Sequence, residues 1–365
     1  MRRRRHAMAC ILGIFTILTV SAAVETVVDL NLFHSLNLRD TGTRSHAYLM
    51  TGDASVSLKS PNTSNVRGDV ALSFSQVGTT IVPSIDRAYL RARFPSFRLT
   101  VGKTRVSWGD GVMFNAADLL FGSTSTGVDL TRQELRSDTK WLTSINYPLG
   151  AFSFIEALVI PPEDPLHASV GNTSLGARYY TTLGSVKLET GAAYRNDAHT
   201  GNVVSPYLGL QGNIGPDWYV ATSANIPYPE DIADELKDSW IVSAGLLHIL
   251  TVGWQGTLSM RLETLLLPFA HWEPDPSHKY ALYLYPELSY APNETLSFLL
   301  RSIMSPIDLS ATITAGASWN VFQGLSIQTF VTAFTGEEDD LFPWRKAPSE
   351  ISPSLNISVG VSWVY

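Results

Sequence analysis

Four arginines lie in one short stretch of alternating polarity, residues 86–103, DRAYLRARFPSFRLTVGK. Arg87, Arg91 and Arg93 share one phase of the alternation, and Arg98 resumes it after the Pro-Ser break at 95–96. The opposite phase is apolar. A guanidinium group stays charged and binds carboxylates or phosphates. A row of guanidinium groups along two neighbouring strands could therefore select anions.

Two further cations lie at the end of this stretch and just beyond it. Strict alternation places Lys103 and Arg105 on the apolar phase, whereas a bulge near Gly102 would turn them towards the arginines. We therefore include Lys103 and Arg105 among the candidates for lining a polar channel. On the apolar phase, their long stems would instead reach the edge of a membrane.

The longest connection between predicted strands follows directly. It runs over 108–138, WGDGVMFNAADLLFGSTSTGVDLTRQELRSD. Folded inward, its acids would oppose the arginines across a constriction. Folded outward, they would be solvated charges on a surface loop. The candidate constriction residues are Asp110, Asp118, Asp129, Glu134 and Asp138.

The elements that must position these groups are strands. Period-two alternation recurs along the whole chain and predicts an all-β fold. The runs are about ten residues long, longer than the usual strand of a soluble sandwich but suited to a tilted bilayer crossing. Only a closed barrel can cross lipid with strands, because an open edge leaves backbone groups without partners. We count about 18 strands, with 14–16 as alternatives, since boundaries are uncertain by a few residues.

The connections alternate between short turns and longer loops. This is the pattern of an antiparallel up-and-down transmembrane barrel with short periplasmic turns and long outer loops. An even strand count places both termini in the periplasm. Tryptophans near predicted strand ends suggest interfacial aromatic girdles, although aromatic core residues of a sandwich remain the alternative. We assign Trp218, Trp254, Trp319 and Trp363 to the periplasmic rim and Trp108, Trp141 and Trp240 to the outer rim.

The first 23 residues have the pattern of a cleaved signal peptide. Arg2 to Arg5 form the basic region, Ile11 to Val20 the apolar region, and Ser21-Ala22-Ala23 a small-residue cleavage site. An uncleaved anchor is the alternative. Cys10, the one cysteine of the sequence, lies in this segment, so we expect no disulfide in the exported protein. The remainder, 24–365, is predicted to form a single barrel domain.

Charge and composition exclude some functions. Lys and Arg number 26 and Asp and Glu 33, giving a net charge of −7. Without a basic stripe, nucleic acid is not an expected partner. Charged residues make up 16% of the chain, below the roughly 25% of typical soluble domains.

The C-terminal residues LNISVGVSWVY resemble the terminal strand of bacterial outer-membrane β-barrel proteins, which alternates apolar residues and ends on an aromatic. The resemblance implies that Trp363 and Tyr365 form an assembly signal for the barrel-assembly machinery. It also implies residence among the lipids of the outer membrane of a diderm bacterium. Residues 101–122 resemble a Gly-Arg…Trp-Gly…Asn-Pro-x-Asp segment of porin-like families, with Lys103 and Ala116 departing from it. In general diffusion porins, which this chain resembles in chain order and charge sign, the loop after the fifth strand folds into the pore.

We therefore predict a porin-like channel for passive diffusion of small hydrophilic solutes. A homo-oligomer is a possible assembly of this channel. A surface adhesin or host-interaction barrel is the main alternative, based on long outer loops. A channel for hydrophobic solutes is the other alternative. Conductance of the purified protein against whole-cell binding would separate a channel from an adhesin.

No enzymatic motif is present in the sequence. It has neither the Gly-x-Ser-x-Gly elbow of hydrolases nor the His-Glu-x-x-His motif of zinc proteases. His271, Glu273, Asp275 and His278 form a loop cluster that we interpret as a chance grouping. We predict no catalytic residue, no metal and no cofactor.

Overall fold

A computed structural model describes residues 24–61, 65–162, 172–197, 201–228, 239–270, 272, 274–275, 277–347 and 352–365. The predicted signal peptide lies outside the described residues. No helix in the described part is both long enough and apolar enough to span a membrane.

Nineteen strands in the described residues form one antiparallel sheet. They are β1 Glu25–Asp40, β2 Arg44–Lys59, β3 Val66–Val77, β4 Thr80–Arg93, β5 Arg98–Thr104, β6 Lys140–Pro148, β7 Phe154–Ile160, β8 Ser174–Leu183, β9 Val186–Asp197, β10 Gly201–Asn213, β11 Asp217–Ala224, β12 Ile226–Tyr228, β13 Trp240–Val252, β14 Gly256–Leu267, β15 Ala281–Ala291, β16 Leu296–Met304, β17 Ala311–Phe322, β18 Leu325–Phe334 and β19 Leu355–Val364.

The sheet closes on itself. β1 pairs with β2 on one side and with β19 on the other, in a register from Asp29↔Val364 to Leu38↔Leu355. β11 and β12 both pair with β10 and form one barrel strand interrupted at Asn225. The molecule is therefore an 18-stranded antiparallel barrel, which confirms the predicted fold class and strand count.

The outer face of the barrel is apolar, as the alternation predicts. Large side chains such as Leu90, Val101 and Phe298 are exposed on the phase opposite the polar one. In a membrane this phase meets lipid, so the other phase surrounds the lumen.

Trp108 differs from the other six girdle tryptophans, all of which keep part of their surface exposed. Trp141 and Trp240 remain substantially exposed, whereas Trp108 is fully buried. The interpretation of Trp108 as an outer-rim residue is therefore wrong. Its indole lies inside the barrel because the chain after β5 turns inward instead of continuing along the wall.

Candidate functional site in the barrel lumen

The connection between β5 and β6, residues 105–139, folds into the barrel. We call it the inner loop. Its central part, 113–120, is buried in an unbroken run, and its backbone and side chains contact inward-facing residues of β7 to β16 at three places. The inward arrangement predicted as one of two alternatives is the one that the structure adopts.

The first attachment holds the start of the inner loop. The Trp108 indole Nε1 donates to Glu156 at 3.3 Å, and the Gly109 backbone N–H donates to Glu189 at 3.1 Å. Arg178 lies between the two carboxylates, with its Nε 2.8 Å from Glu156 and its Nη1 3.1 Å from Glu189. The buried carboxylates on β7 and β9 are thus compensated both by a cation and by loop donors, as buried charges require.

The second attachment is a single carboxylate on β14. Glu263 accepts three consecutive backbone N–H groups of the inner loop, from Val112 at 3.1 Å and from Met113 and Phe114 at 2.8 Å each. Glu263 is only 2% exposed. Charge-assisted bonds of this kind are stronger than neutral ones.

Neighbouring wall residues extend the second attachment. The Tyr219 hydroxyl on β11 donates to the Phe114 carbonyl at 2.7 Å. The Ala116 N–H donates to the Ser243 hydroxyl on β13 at 2.9 Å. The middle of the inner loop is therefore bonded to three strands through its main chain.

The third attachment holds the far part of the inner loop. Arg301 on β16 donates to the carbonyls of Leu130, at 3.3 Å, and Arg132, at 2.7 Å. Its Nε lies 2.7 Å from Glu287 on β15, which also accepts from the Tyr285 hydroxyl. Arg301 therefore binds the loop with one end and the wall with the other.

Apolar packing joins the inner loop to the same wall. One cluster places Trp108, Leu119 and Leu120 against wall residues such as Leu158 and Tyr207. The second cluster contains Met113, Phe114, Leu130 and Leu135 of the loop, Leu265, Tyr285 and Ile303 of the wall, and Phe342 from the connection after β18. The hydrophobic core of this protein thus lies inside the barrel, between the loop and the wall.

The predicted arginine row lies on a different part of the wall. Arg87, Arg91 and Arg93 alternate with the lipid-facing residues of β4, and Arg93 is the register partner of Arg98 on β5. Arg91, Arg93 and Arg98 are exposed. Arg91 packs over the Tyr89 ring at 5.4 Å from its centroid.

The row also has a fifth member on β3. Arg67 lies opposite Arg91 in the register and shares its face. The Arg87 Nε is 3.9 Å from Asp69, also on β3. Arg67 stands apart from the other arginines in sequence, and only the strand pairing reveals that it belongs with them.

The two remaining cationic candidates, Lys103 and Arg105, lie in different environments. The register stays continuous through Gly102, so Lys103 shares the outer face with Trp141 and its Nζ donates to the Ile85 carbonyl. Lys103 is therefore placed outside the lumen, unlike the predicted pore-lining position. Arg105 belongs to the inner loop, where its guanidinium binds Asp118 and Ser123 and packs over the Phe121 ring.

The five acids of the inner loop are not brought together. Asp118 is buried and bonded to Arg105, and Asp129 lies 3.4 Å from Arg132. Asp110 borders the same recess as Lys187 and Glu189. The other two, Glu134 and Asp138, are exposed. Among the described residues, no ion pair joins an inner-loop acid to the arginine row, and the two acids that form ion pairs bind cations of the loop itself.

Sequence reasoning missed the wall residues that hold the loop. A sequence signal exists for two of them. Lys187-Leu188-Glu189-Thr190 on β9 and Arg261-Leu262-Glu263-Thr264 on β14 repeat one pattern, with a cation and an acid on the lumen phase. A charge in mid-strand on that phase requires a partner in the lumen. The sequence does not show that the partner is the loop backbone.

One electrostatic feature lies at the outer end of β17. Partial burial raises the pKa of Asp308, but the N–H groups of Leu341 and Ser310 donate to its carboxylate and hold that pKa below its ordinary value. Asp308 thereby ties the connection after β18, which carries Phe342, to the connection after β16.

Within the described residues, no group of three His, Cys, Asp or Glu side chains is arranged to hold a metal ion. Of the loop cluster noted in the sequence, His271 and Glu273 lie outside the described residues.

A closed antiparallel barrel with an apolar outside, a charged interior and a loop folded into the lumen defines a transmembrane β-barrel. The chain is similar in fold to Pseudomonas aeruginosa OccK2 (OpdF), with a TM-score of 0.60 and 12% identity over 93% of this chain and 97% of that one. The outer membrane protein opdK of the same organism is similar with a TM-score of 0.56 and 11% identity, over 93% of this chain and 98% of that one. Acinetobacter baumannii OccAB4 is similar with a TM-score of 0.55 and 10% identity, over 94% of this chain and 99% of that one. No family model and no curated protein sequence matches.

Proposed function

We propose that this protein is a porin-like outer-membrane channel through which small hydrophilic solutes diffuse passively. The observation that carries the proposal is the asymmetry of the lumen. All three attachments of the inner loop lie on β7 to β16, whereas the arginine row lies on β3 to β5. The loop narrows the barrel from one side, and the arginines face the passage from the other.

The charge of that passage favours anions. Five guanidinium groups share one face of three neighbouring strands, and clusters of charge in a pore select ions by sign. A solved structure of OccK2 contains glucuronate, a sugar carboxylate, and this chain has the same fold at 12% identity. We therefore propose small anionic solutes, carboxylates among them, as preferred substrates.

The further assignments extend the same proposal. Residues 1–23 are removed as a signal peptide, and 24–365 form one domain in the outer membrane. Trp363 and Tyr365, stacked with ring centroids 5.7 Å apart at the end of β19, form the assembly signal. Outer-membrane lipid and the assembly machinery are the expected partners, and we expect no enzymatic activity. The adhesin alternative is not favoured.

Reconstitution in planar bilayers tests the proposal. The refolded protein should give single-channel currents with a reversal potential that indicates anion preference. The R91Q/R93Q/R98Q variant should shift that potential towards zero or towards cations. R44Q is the matched control, because Arg44 is 90% exposed at the opposite end of the barrel. A folded barrel without conductance would overturn the proposal, and unchanged selectivity in the triple variant would overturn the anion assignment.

A further inference from the structure

Two wall carboxylates, Glu263 and Glu189, each accept three hydrogen bonds from protein donors inside the lumen. Glu263 accepts three consecutive inner-loop N–H groups, and Glu189 accepts the Gly109 N–H, the Tyr207 hydroxyl at 2.6 Å and an Arg178 N–H. Both are buried, at 2% and 9% exposure. Both oxygens of Glu263 accept loop N–H groups, and the three donors to Glu189 converge on its Oε1.

Both carboxylates occupy equivalent places in the repeated cation-Leu-Glu-Thr pattern of β9 and β14. In the second copy, the Arg261 Nη1 lies 3.7 Å from Glu263. In the first copy, Lys187 donates to Gln211, and Arg178 of β8 is the cation that pairs with Glu189. Each acid is thus a compensated acceptor, suited to hold backbone donors inside a barrel.

The loop side of the contact requires these acceptors. Buried N–H groups without partners are costly, and 112–114 form neither helix nor strand. Three adjacent N–H groups aimed at one point make an anion-binding concavity, which the Glu263 carboxylate fills. The position of segment 112–114 is therefore determined by a wall acid and the main chain of the loop. The pairing of loop acids with wall arginines, which the sequence predicts, does not determine it.

We propose that Glu263, supported by Glu189, is a positioning residue that fixes the inner loop against β7 to β16 and thereby sets the aperture and the size limit for solutes. The proposal rests on the channel function proposed above. Its test therefore includes a readout that does not depend on conduction.

The experiment uses a cysteine reporter. In a C10S background, M113C provides a unique thiol at a position that is fully buried in the docked loop. With a water-soluble maleimide, M113C should label slowly, and M113C/E263L about tenfold faster or more, because loss of the three bonds raises the open population of the loop. M113C/E263Q keeps one acceptor oxygen and should be intermediate, and adding E189Q should raise its rate further.

The matched control is D69N. Asp69 is another buried lumenal acid, on β3, and contacts the arginine row instead of the loop. The D69N substitution also removes one buried negative charge, but M113C/D69N should still label slowly. In bilayers, E263L should show larger conductance and admit larger neutral solutes, and D69N should not.

The outcomes are distinguishable. Slow labelling of M113C/E263L in a barrel that keeps the compact electrophoretic mobility of the folded state would overturn the inference. If E263L does not fold, the comparison of E263Q with D69N decides by the same criterion. If the wild-type protein does not conduct, the channel proposal fails, while labelling still decides whether Glu263 positions the loop.

Discussion

Trp108 of the inner loop stacks on Tyr207 of β10, with ring centroids 5.5 Å apart and planes inclined by 20°. The indole is fully buried and the tyrosine hydroxyl donates to Glu189. One aromatic pair thus connects the apolar packing of the loop to the charged network that holds its start.

Replacing Trp108 with alanine should release the start of the inner loop. Truncating a buried tryptophan costs about 3–5 kcal/mol, and this variant also leaves Glu156 without one of its donors. Hydrogen exchange of the 112–114 amides should accelerate while the strands stay protected. The control is W141A, since Trp141 is half exposed on the outer face. Equal protection of the loop in W108A and wild-type protein would contradict the prediction.

Replacing Arg178 with methionine should destabilise the protein by about 3–5 kcal/mol, because it leaves two buried carboxylates, Glu156 and Glu189, without their cation. The free energy of unfolding in urea measures this. R132M serves as the comparison, because the Arg132 side chain is 65% exposed and exposed pairs contribute about 1 kcal/mol or less. Similar losses in both variants would show that the network around Arg178 is not critical.

Two lumen-facing glycines, Gly245 and Gly209, should respond differently to alanine. A Cβ at Gly245 would overlap the Tyr219 ring, whereas one at Gly209 would meet its nearest neighbour at 3.8 Å. G245A should displace the tyrosine from the Phe114 carbonyl and cost about 1–3 kcal/mol, as overpacking does. G209A should be neutral within about 0.5 kcal/mol. Thermal unfolding of both variants measures the two stability losses. A larger loss in G209A than in G245A would refute the prediction.

Asp308 should make a pH-dependent contribution to stability. Its pKa in the folded protein lies below its ordinary value, so the stabilisation is fully present above about pH 4, the unfolded value, and is lost as pH falls through the folded pKa. Wild-type protein should therefore have a higher Tm than D308N at pH 7. This difference should shrink towards pH 3. A Tm difference independent of pH would exclude the mechanism.

Most of the fold is predictable from the sequence. Alternation over about ten residues recurs along the chain, and a one-sided apolar strand of that length has few stable environments besides a barrel in lipid. The lumenal phase of Arg87, Arg91, Arg93 and Arg98 follows from the same alternation. Strict alternation also gives the outer position of Lys103, which the proposed bulge at Gly102 would have changed.

The lumen is less predictable, and Trp108 shows why. At a predicted strand end, a tryptophan is typical of an aromatic girdle, and nothing local distinguishes that position from a buried one. Charge sign predicts that Asp118 faces the wall arginines, but it binds Arg105, 13 residues away in its own loop. Charge sign and chain order indicate that acids and arginines are available, but not which of them meet.

Local periodicity is enough to predict the strands, their lipid-facing phase, the arginine row and the long connection after β5, because the alternation of each strand depends on the two environments that it separates. The inward fold of that connection and its attachment to Glu263 become visible only when the strands are assembled. Glu263 is 150 residues from Met113 in the chain. It binds the loop through backbone N–H groups, which every residue except proline carries, and such a contact leaves no pattern in side-chain identity.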